Sequence, residues 1–231
     1  MTARRRFYKT VTVTDDNGVA LDGRVVKTPM KAPLRLPNRA LAEAVAAEWE
    51  AQGEKIMPST MYFTKLANTA IDRVGAHRAE ILAELLEYAG SDLVCYRADR
   101  PEALVARQAE HWNPVVDWAR TVLDAPMEVT VGVIHTPQPE TALKAIASAL
   151  TELDDFQVAA FHGVMTIGGS ALVALMVARG VMSAEAAWET CHVDEDYQIA
   201  IWGEDEEAAE RRARRYVEFM ACCRVLELSR A

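Results

Sequence analysis

The densest set of reactive side chains lies late in the sequence: Asp194, Glu195, Asp196, Glu204, Asp205, Glu206 and Glu207, gathered around Tyr197, Ile201 and Trp202. Three chemistries fit carboxylates spaced this closely. Paired carboxylates do acid–base work or hold a divalent cation, which would make a metal-assisted hydrolase of the segment 194–207. A charge run also serves as a solvated helix face, with Asp205 to Glu207 in a first turn where the macrodipole favours negative charge. Thirdly, carboxylates ringing aromatic anchors make a recognition surface for another protein.

Other reactive residues carry less. Ile167-Gly168-Gly169-Ser170 lacks the Gly-Lys-Ser/Thr ending of a phosphate-cradling loop, and Ser170 lacks the glycine spacing of a nucleophile elbow. His77, His111, His135, His162 and His192 show no metal-ligand spacing. Cys191 and His192 are adjacent, so on a helix they point about 100° apart and do not share a metal. Cys95, Cys191, Cys222 and Cys223 form no zinc or redox pattern and read as buried, reduced thiols. Trp112 and Trp118, six apart on one helix, are expected on different faces, with one of them exposed.

The elements that must position these groups fall into two styles. Residues 7–36 read as a β meander: Phe7, Val11 and Val13 alternate with polar neighbours, Asp15-Asp16-Asn17-Gly18 and Asp22-Gly23 supply turns, and Leu34-Arg35-Leu36 gives a short last strand. From Asn38, an expected N-cap, the period becomes helical, with Leu41, Ala44, Val45, Glu48 and Trp49 on one face. Another helix is expected from Asn68 to a stop near Gly75. Beyond it the chain reads as helix almost throughout, with a kink at Pro114 and a lone β-like run at 129–134. The last helix is expected over 205–227 with Tyr216, Phe219, Cys223 and Leu226 inward. The expected class is α+β: a β-rich N-terminal domain over 1–75 and a larger α-helical domain over 76–231.

Composition bounds the function. A chain 51% hydrophobic and 26% charged is not disordered. Its 25 Lys+Arg against 34 Asp+Glu leave a net charge of −9, a poor match for a phosphate backbone, so no nucleic acid partner is expected. The acidity is uneven: residues 1–75 hold 12 basic and 8 acidic side chains, residues 76–231 hold 13 and 26. Residues 156–178 carry no charge over 23 positions, about 34 Å as a helix. Gln157, His162 and the Gly168-Gly169 pair favour a buried central helix over a membrane span, and no stable membrane insertion is expected.

Several stretches in order carry a resemblance: Phe7-Tyr8-Lys9, Leu21-Asp22-Gly23-Arg24, Lys27-Thr28-Pro29, Leu41 through Trp49, Gln52, Pro58, Leu66-Ala67-Asn68-Thr69-Ala70-Ile71-Asp72, Asp92-Leu93-Val94-Cys95-Tyr96-Arg97, Trp112-Asn113-Pro114, Tyr197-Gln198 and Trp202-Gly203. Across nearly its whole length the chain resembles the family of ATP synthase assembly chaperones that bind the alpha subunit of the F(1) sector, the mitochondrial ATPase assembly factor 2 type. The resemblance implies a non-enzyme that needs no cofactor and no metal. It would shield the unassembled alpha subunit until beta subunits bind. It also implies a β-rich domain followed by a helical one. The family's important acidic residue falls at Asp194 or Glu195, and Trp49 matches an important tryptophan. Partner contacts are therefore expected from Trp49, Asp194, Glu195, Asp196, Tyr197, Trp202, Glu206 and Glu207. The chain is expected to be monomeric when free and, lacking a recognisable presequence, to work in a bacterial cytoplasm.

Overall fold

A computed structural model describes residues 4–230. The N-terminal strands are short: β1 (Arg4–Arg5), β2 (Val11–Val13), β3 (Val19–Leu21) and β4 (Arg24–Val25). β2, β3 and β4 form an antiparallel meander, with Val11 opposite Leu21 and Leu21 opposite Arg24. The β3–β4 link is a two-residue turn in which Asp22 (φ 48°) and Gly23 (φ 77°) both hold positive φ, the geometry that matches strand twist. The Asp22 carboxylate also accepts the N–H groups of Lys9 and Thr10, so the turn fixes the approach to β2. The expected strand at 34–36 forms only isolated bridges, Gly18 with Arg35 and Lys27 with Pro33. Leu34 and Leu36 are buried as their pattern demands, but Pro33 and Pro37 deny the ladder its donors.

Helix α1 (Arg39–Glu50) starts at Asn38, whose Oδ1 accepts the Leu41 N–H at 2.9 Å. The other end of that amide donates to the Leu228 carbonyl at 2.8 Å, seating the first helix on the last. β5 (Lys55–Ile56) pairs with β1. The Glu48 carboxylate then caps α2 (Tyr62–Thr69) by accepting from the Phe63 and Thr64 N–H groups at 2.7 and 2.8 Å. Sequence reading expects a helix from Asn68 to Gly75. Instead α2 begins six residues earlier and runs through a π-helical turn, Ala70–Val74, straight into α3 (Gly75–Ala89). The Glu48 cap, supplied from 14 residues before Tyr62, leaves no local signal at the helix start.

β6 (Tyr96–Arg97) precedes α4 (Glu102–Val122), and the lone β-like run contains β7 (Thr130–Val131), which lies parallel to β6. Pro114 is accommodated inside α4. Trp112 and Trp118 are both buried, against the expectation that one is exposed. Helix α4 is covered from several sides, by α7, α9 and the 3-10 turn Leu93–Cys95, so two faces of it are interior.

The uncharged stretch 156–178 is two helices, α6 (Asp155–Gly168) and α7 (Ala171–Ala178), after α5 (Glu140–Thr151). Gly169 takes φ 79° and ends α6 in the left-handed cap, and Ser170 restarts the chain by accepting the Val173 N–H. Among the described residues no helix is long and apolar enough to cross a membrane. All eight residues of α7 are buried, which makes it the central helix. Asp92 is fully buried and holds it there. One carboxylate oxygen accepts the Leu172 N–H at 3.0 Å and the other the Val94 N–H at 3.2 Å. Burial pushes the Asp92 carboxyl above the usual range, and those N–H groups together with the Ser170 hydroxyl pull it back.

The chain closes with α8 (Ala184–Cys191), α9 (Val193–Trp202) and α10 (Glu206–Leu228). Helix α6 meets α10 and α8 at very short range. A Cβ on Gly163 would collide with Cys222 Sγ of α10, and one on Gly168 would sit 2.6 Å from Cys191 Sγ of α8. Phe219, Cys223 and Leu226 point inward as expected, whereas Tyr216 is exposed. Cys95, Cys222 and Cys223 are buried thiols, each pushed up to about 12 by burial. One apolar core runs from Val19 to Leu226, and Tyr8, Leu21, Ile56 and Met61 form a smaller cluster.

Two consequences are measurable by urea denaturation. Asp92→Ala leaves the buried Leu172 and Val94 N–H groups unpaired and should cost about 3 kcal/mol; a loss under about 1 kcal/mol contradicts the bridging role. Gly163→Ala should destabilise by about 1–3 kcal/mol through overpacking. Adding Cys222→Ala should recover part of that loss, and strict additivity of the two changes would show that they do not touch.

Candidate functional site

The site is the corner where α9 turns into α10. Trp188 on α8 forms its floor. The His192 ring stacks on the Trp188 indole at 3.6 Å, while Tyr216 and Phe219 of α10 meet the same indole edge-on at 5.1 and 5.4 Å. His192 is buried, and its Nδ1 lies 2.8 Å from the Trp188 carbonyl. Burial holds its pKa below the ordinary imidazole value, against the opposing pull of that carbonyl and of Glu195, and so favours the neutral ring.

On this floor Arg212, from α10, reaches across to α9. Its guanidinium lies 5.6 Å from the centre of the Trp188 ring, a cation–π distance. It ion-pairs with Asp196 through Nη2, and its Nη1 is 3.3 Å from Glu195 Oε2. The second contact is one of charge rather than a hydrogen bond, because Nη1 is buried without an aligned acceptor. Asp194 is engaged in another direction: its Oδ1 accepts from Gln108 Nε2 at 2.7 Å. Gln108 is 2% exposed and accepts the Ala98 N–H at 2.8 Å with its other end, so it joins α4, the end of β6 and α9. Trp112, one turn along α4, donates to the Thr190 carbonyl at 2.7 Å and completes the attachment.

The structure thus divides the acidic cluster. Asp194, Glu195 and Asp196 are partly buried and clasp α9 to α4 and α10. Glu204, Asp205, Glu206 and Glu207 are exposed. Asp205 caps α10 by accepting the Ala208 N–H, and Glu207 pairs with Arg211 one turn on at 2.7 Å. Trp202 is 84% exposed, with Ile201 exposed beside it. Between Trp202 and Arg212 lies a notch of about 230 Å³, bordered also by Gln198, Ile199 and Ala208. Tyr197 is half-buried on α9.

Trp49 belongs elsewhere. It packs edge-on against Tyr8 at 5.7 Å, and the Tyr8 hydroxyl donates to its carbonyl at 2.6 Å. Its indole N–H is buried without a partner. Of the eight expected contact residues, seven lie along α9 and the start of α10, and Trp49 lies beside the small N-terminal cluster. Sequence reasoning missed Arg212, gave Gln108 no part in the site, and treated His192 as ordinary. Arg212 sits among three glutamates and four arginines over 206–215, where nothing local sets it apart, and Gln108 gains its role only by reaching 86 residues along the chain.

Chemically, the corner presents an aromatic side chain in water, a solvent-exposed carboxylate rim and a shallow notch. Among the described residues no three His, Cys, Asp or Glu side chains converge as a metal would require. A large amphipathic side chain in water with carboxylates around it is the composition that protein interfaces favour.

Comparison with known proteins agrees with this architecture. Residues 5–120 match the family described as ATP12 chaperone protein. The chain is 26% identical over 221 residues to the mitochondrial protein atp12 of Schizosaccharomyces pombe, a match covering 89% of this chain and 76% of that one. Its fold superimposes on the crystal structure of Atp12 from Paracoccus denitrificans with a TM-score of 0.90 and 41% identity, covering 97% of this chain and 98% of the other. The Atu1473 protein of Agrobacterium tumefaciens gives a TM-score of 0.92 at 43% identity, covering 97% of this chain and 86% of that one. The chain belongs to the ATP12 chaperone protein family.

Proposed function

We propose that this chain is an assembly chaperone for the F(1) sector of ATP synthase, that its client is the unassembled alpha subunit, and that it turns over no substrate of its own. Family membership carries this reading. An unassembled subunit of a hexameric ring exposes apolar interfaces that aggregate, and a placeholder that covers them lowers the aggregating concentration by mass action. The holder must also leave, so a moderate, partly polar interface suits it better than a large dry one.

The α9–α10 corner suits that role. Trp202 serves as the buried anchor once the client docks, and Glu206 with Glu207 supplies long-range attraction. Asp194, Glu195 and Asp196 contribute by holding α9 at its angle, with Tyr197 alongside. Trp49 acts through the shape of the N-terminal cluster. The proposed setting is the cytoplasm of a bacterial cell.

Equimolar chain should suppress the aggregation of purified alpha subunit, followed by light scattering, with no nucleotide present. Scattering indistinguishable from alpha subunit alone ends this reading. Trp202→Ala should weaken alpha-subunit binding about 30-fold, the effect of a central aromatic anchor, while Tm stays within about 1 °C because the indole is already in water. Isothermal titration and a thermal melt read the two numbers; equal affinity removes Trp202 from the interface.

A further inference from the structure

A second surface stands apart from the acidic corner. Residues 129–135, Val-Thr-Val-Gly-Val-Ile-His, hold no charged side chain in a chain where a quarter of residues are charged. Val131 is 63% exposed, Val133 94% and Ile134 82%. Such apolar side chains in water mark an interaction site when they are contiguous. This segment is also firmly held. Gln138, itself buried, grips the Glu128 backbone at both ends of its amide, at 2.8 and 3.0 Å. The Gly132 N–H donates to the Arg97 carbonyl at 2.8 Å, and His135 Nδ1 lies 3.3 Å from the Tyr96 hydroxyl.

The same contacts define what the outer side lacks. In a parallel pair, the two backbone polar groups of a residue point to one side of the strand. Thr130 and Gly132 flank Arg97 in the β6–β7 ladder, so the Val131 N–H and C=O face away from β6. They have no hydrogen-bond partner among the described residues. Exposed strand edges are ordinarily blunted by lysine, proline or an inward charge. None of these occupies 129–135.

We propose that the outer edge of β7, with the Val133-Ile134 tip, docks an extended, uncharged segment of the alpha subunit by strand addition. This rests on the chaperone reading and adds to it a second contact of different chemistry. The unpaired Val131 backbone groups call for a strand, and the uncharged tip calls for an apolar one. A second copy of this chain is the weaker occupant. A two-residue edge with a two-residue tip offers far less than the roughly 800 Å² per partner that a stable dimer buries. As an addition to a client already held at the α9–α10 corner, a small contact is effective, because the second binding event is intramolecular. The two surfaces are also joined by one buried side chain: Gln108 bonds both Asp194 and Ala98, the residue that follows β6.

The test uses the full chain and purified alpha subunit, with affinity by titration, mass by sedimentation and Tm by thermal melt. Val133→Lys with Ile134→Lys removes the apolar tip, and Val131→Pro removes the outward N–H without touching the inner ladder. Each should weaken alpha-subunit binding at least tenfold, with Tm nearly unchanged and the chain still monomeric. Variants that bind and protect alpha subunit as well as the parent overturn the proposal while leaving the chaperone reading intact. A parent chain that sediments as a dimer, with monomeric variants of equal affinity for alpha subunit, assigns the edge to self-association and overturns it too. Failure of the parent chain to bind alpha subunit at all removes the chaperone reading itself, and this proposal with it.

Discussion

A carboxylate with no access to water anchors the architecture. Asp92 accepts backbone N–H groups from two separate pieces of chain, the 3-10 turn that leads into β6 and the first turn of α7. A helix start presents N–H groups with no partner inside the helix, and a buried start cannot leave them to solvent. Helix α7 is buried on every side, so its start needs an internal acceptor. Ser170 supplies one and Asp92 another. Without them the central helix has no low-energy seat, and the helices packed around it, α4, α6, α8 and α10, lose their common reference.

The α9–α10 corner inherits its shape from that packing. Trp188 is fixed by Phe219 and Tyr216, and Arg212 is fixed by Trp188 and two carboxylates. Three of the acidic residues act as fasteners and the others stay in water. A dense acidic run can therefore do two jobs, divided by whether a side chain from another helix, Gln108 or Arg212, stands within reach. Internally neutralised carboxylates are poor acceptors for a partner's basic groups, since their charge is already satisfied. In the exposed rim near Trp202, Asp205 caps α10 and Glu207 pairs with Arg211 in water, where an ion pair is weak.

The periodic parts of the sequence were legible and the long-range parts were not. The Asp22-Gly23 turn, the Asn38 cap and the helices from α3 onward follow from local residue chemistry, and the α+β class follows from the change of period near residue 38. The end of α6 was readable as a weakness at Gly168-Gly169, though not as a complete break with a new helix beyond it. What escaped was held by distant partners. Glu48 caps α2 from another helix, and Trp118 is buried because other helices cover α4 on more than one side. For the site, the acidic and aromatic residues stood out by composition, whereas the Arg212 clasp and the Gln108 bridge needed tertiary proximity. The resemblance, resting on ordered motifs from Phe7 to Gly203, reached the family that composition and spacing left open.

The Asn38 amide has a bearing on how the molecule is made. It caps the first helix with one atom and grips the final turn of the last helix with another, a connection spanning 190 residues. During synthesis the Leu228 carbonyl is made 190 residues after Asn38. The opening helix can pack on its neighbouring strands and on α2 long before this partner exists. Joining the first helix to α10 closes the longest loop in this set of contacts, which makes it a late event in maturation.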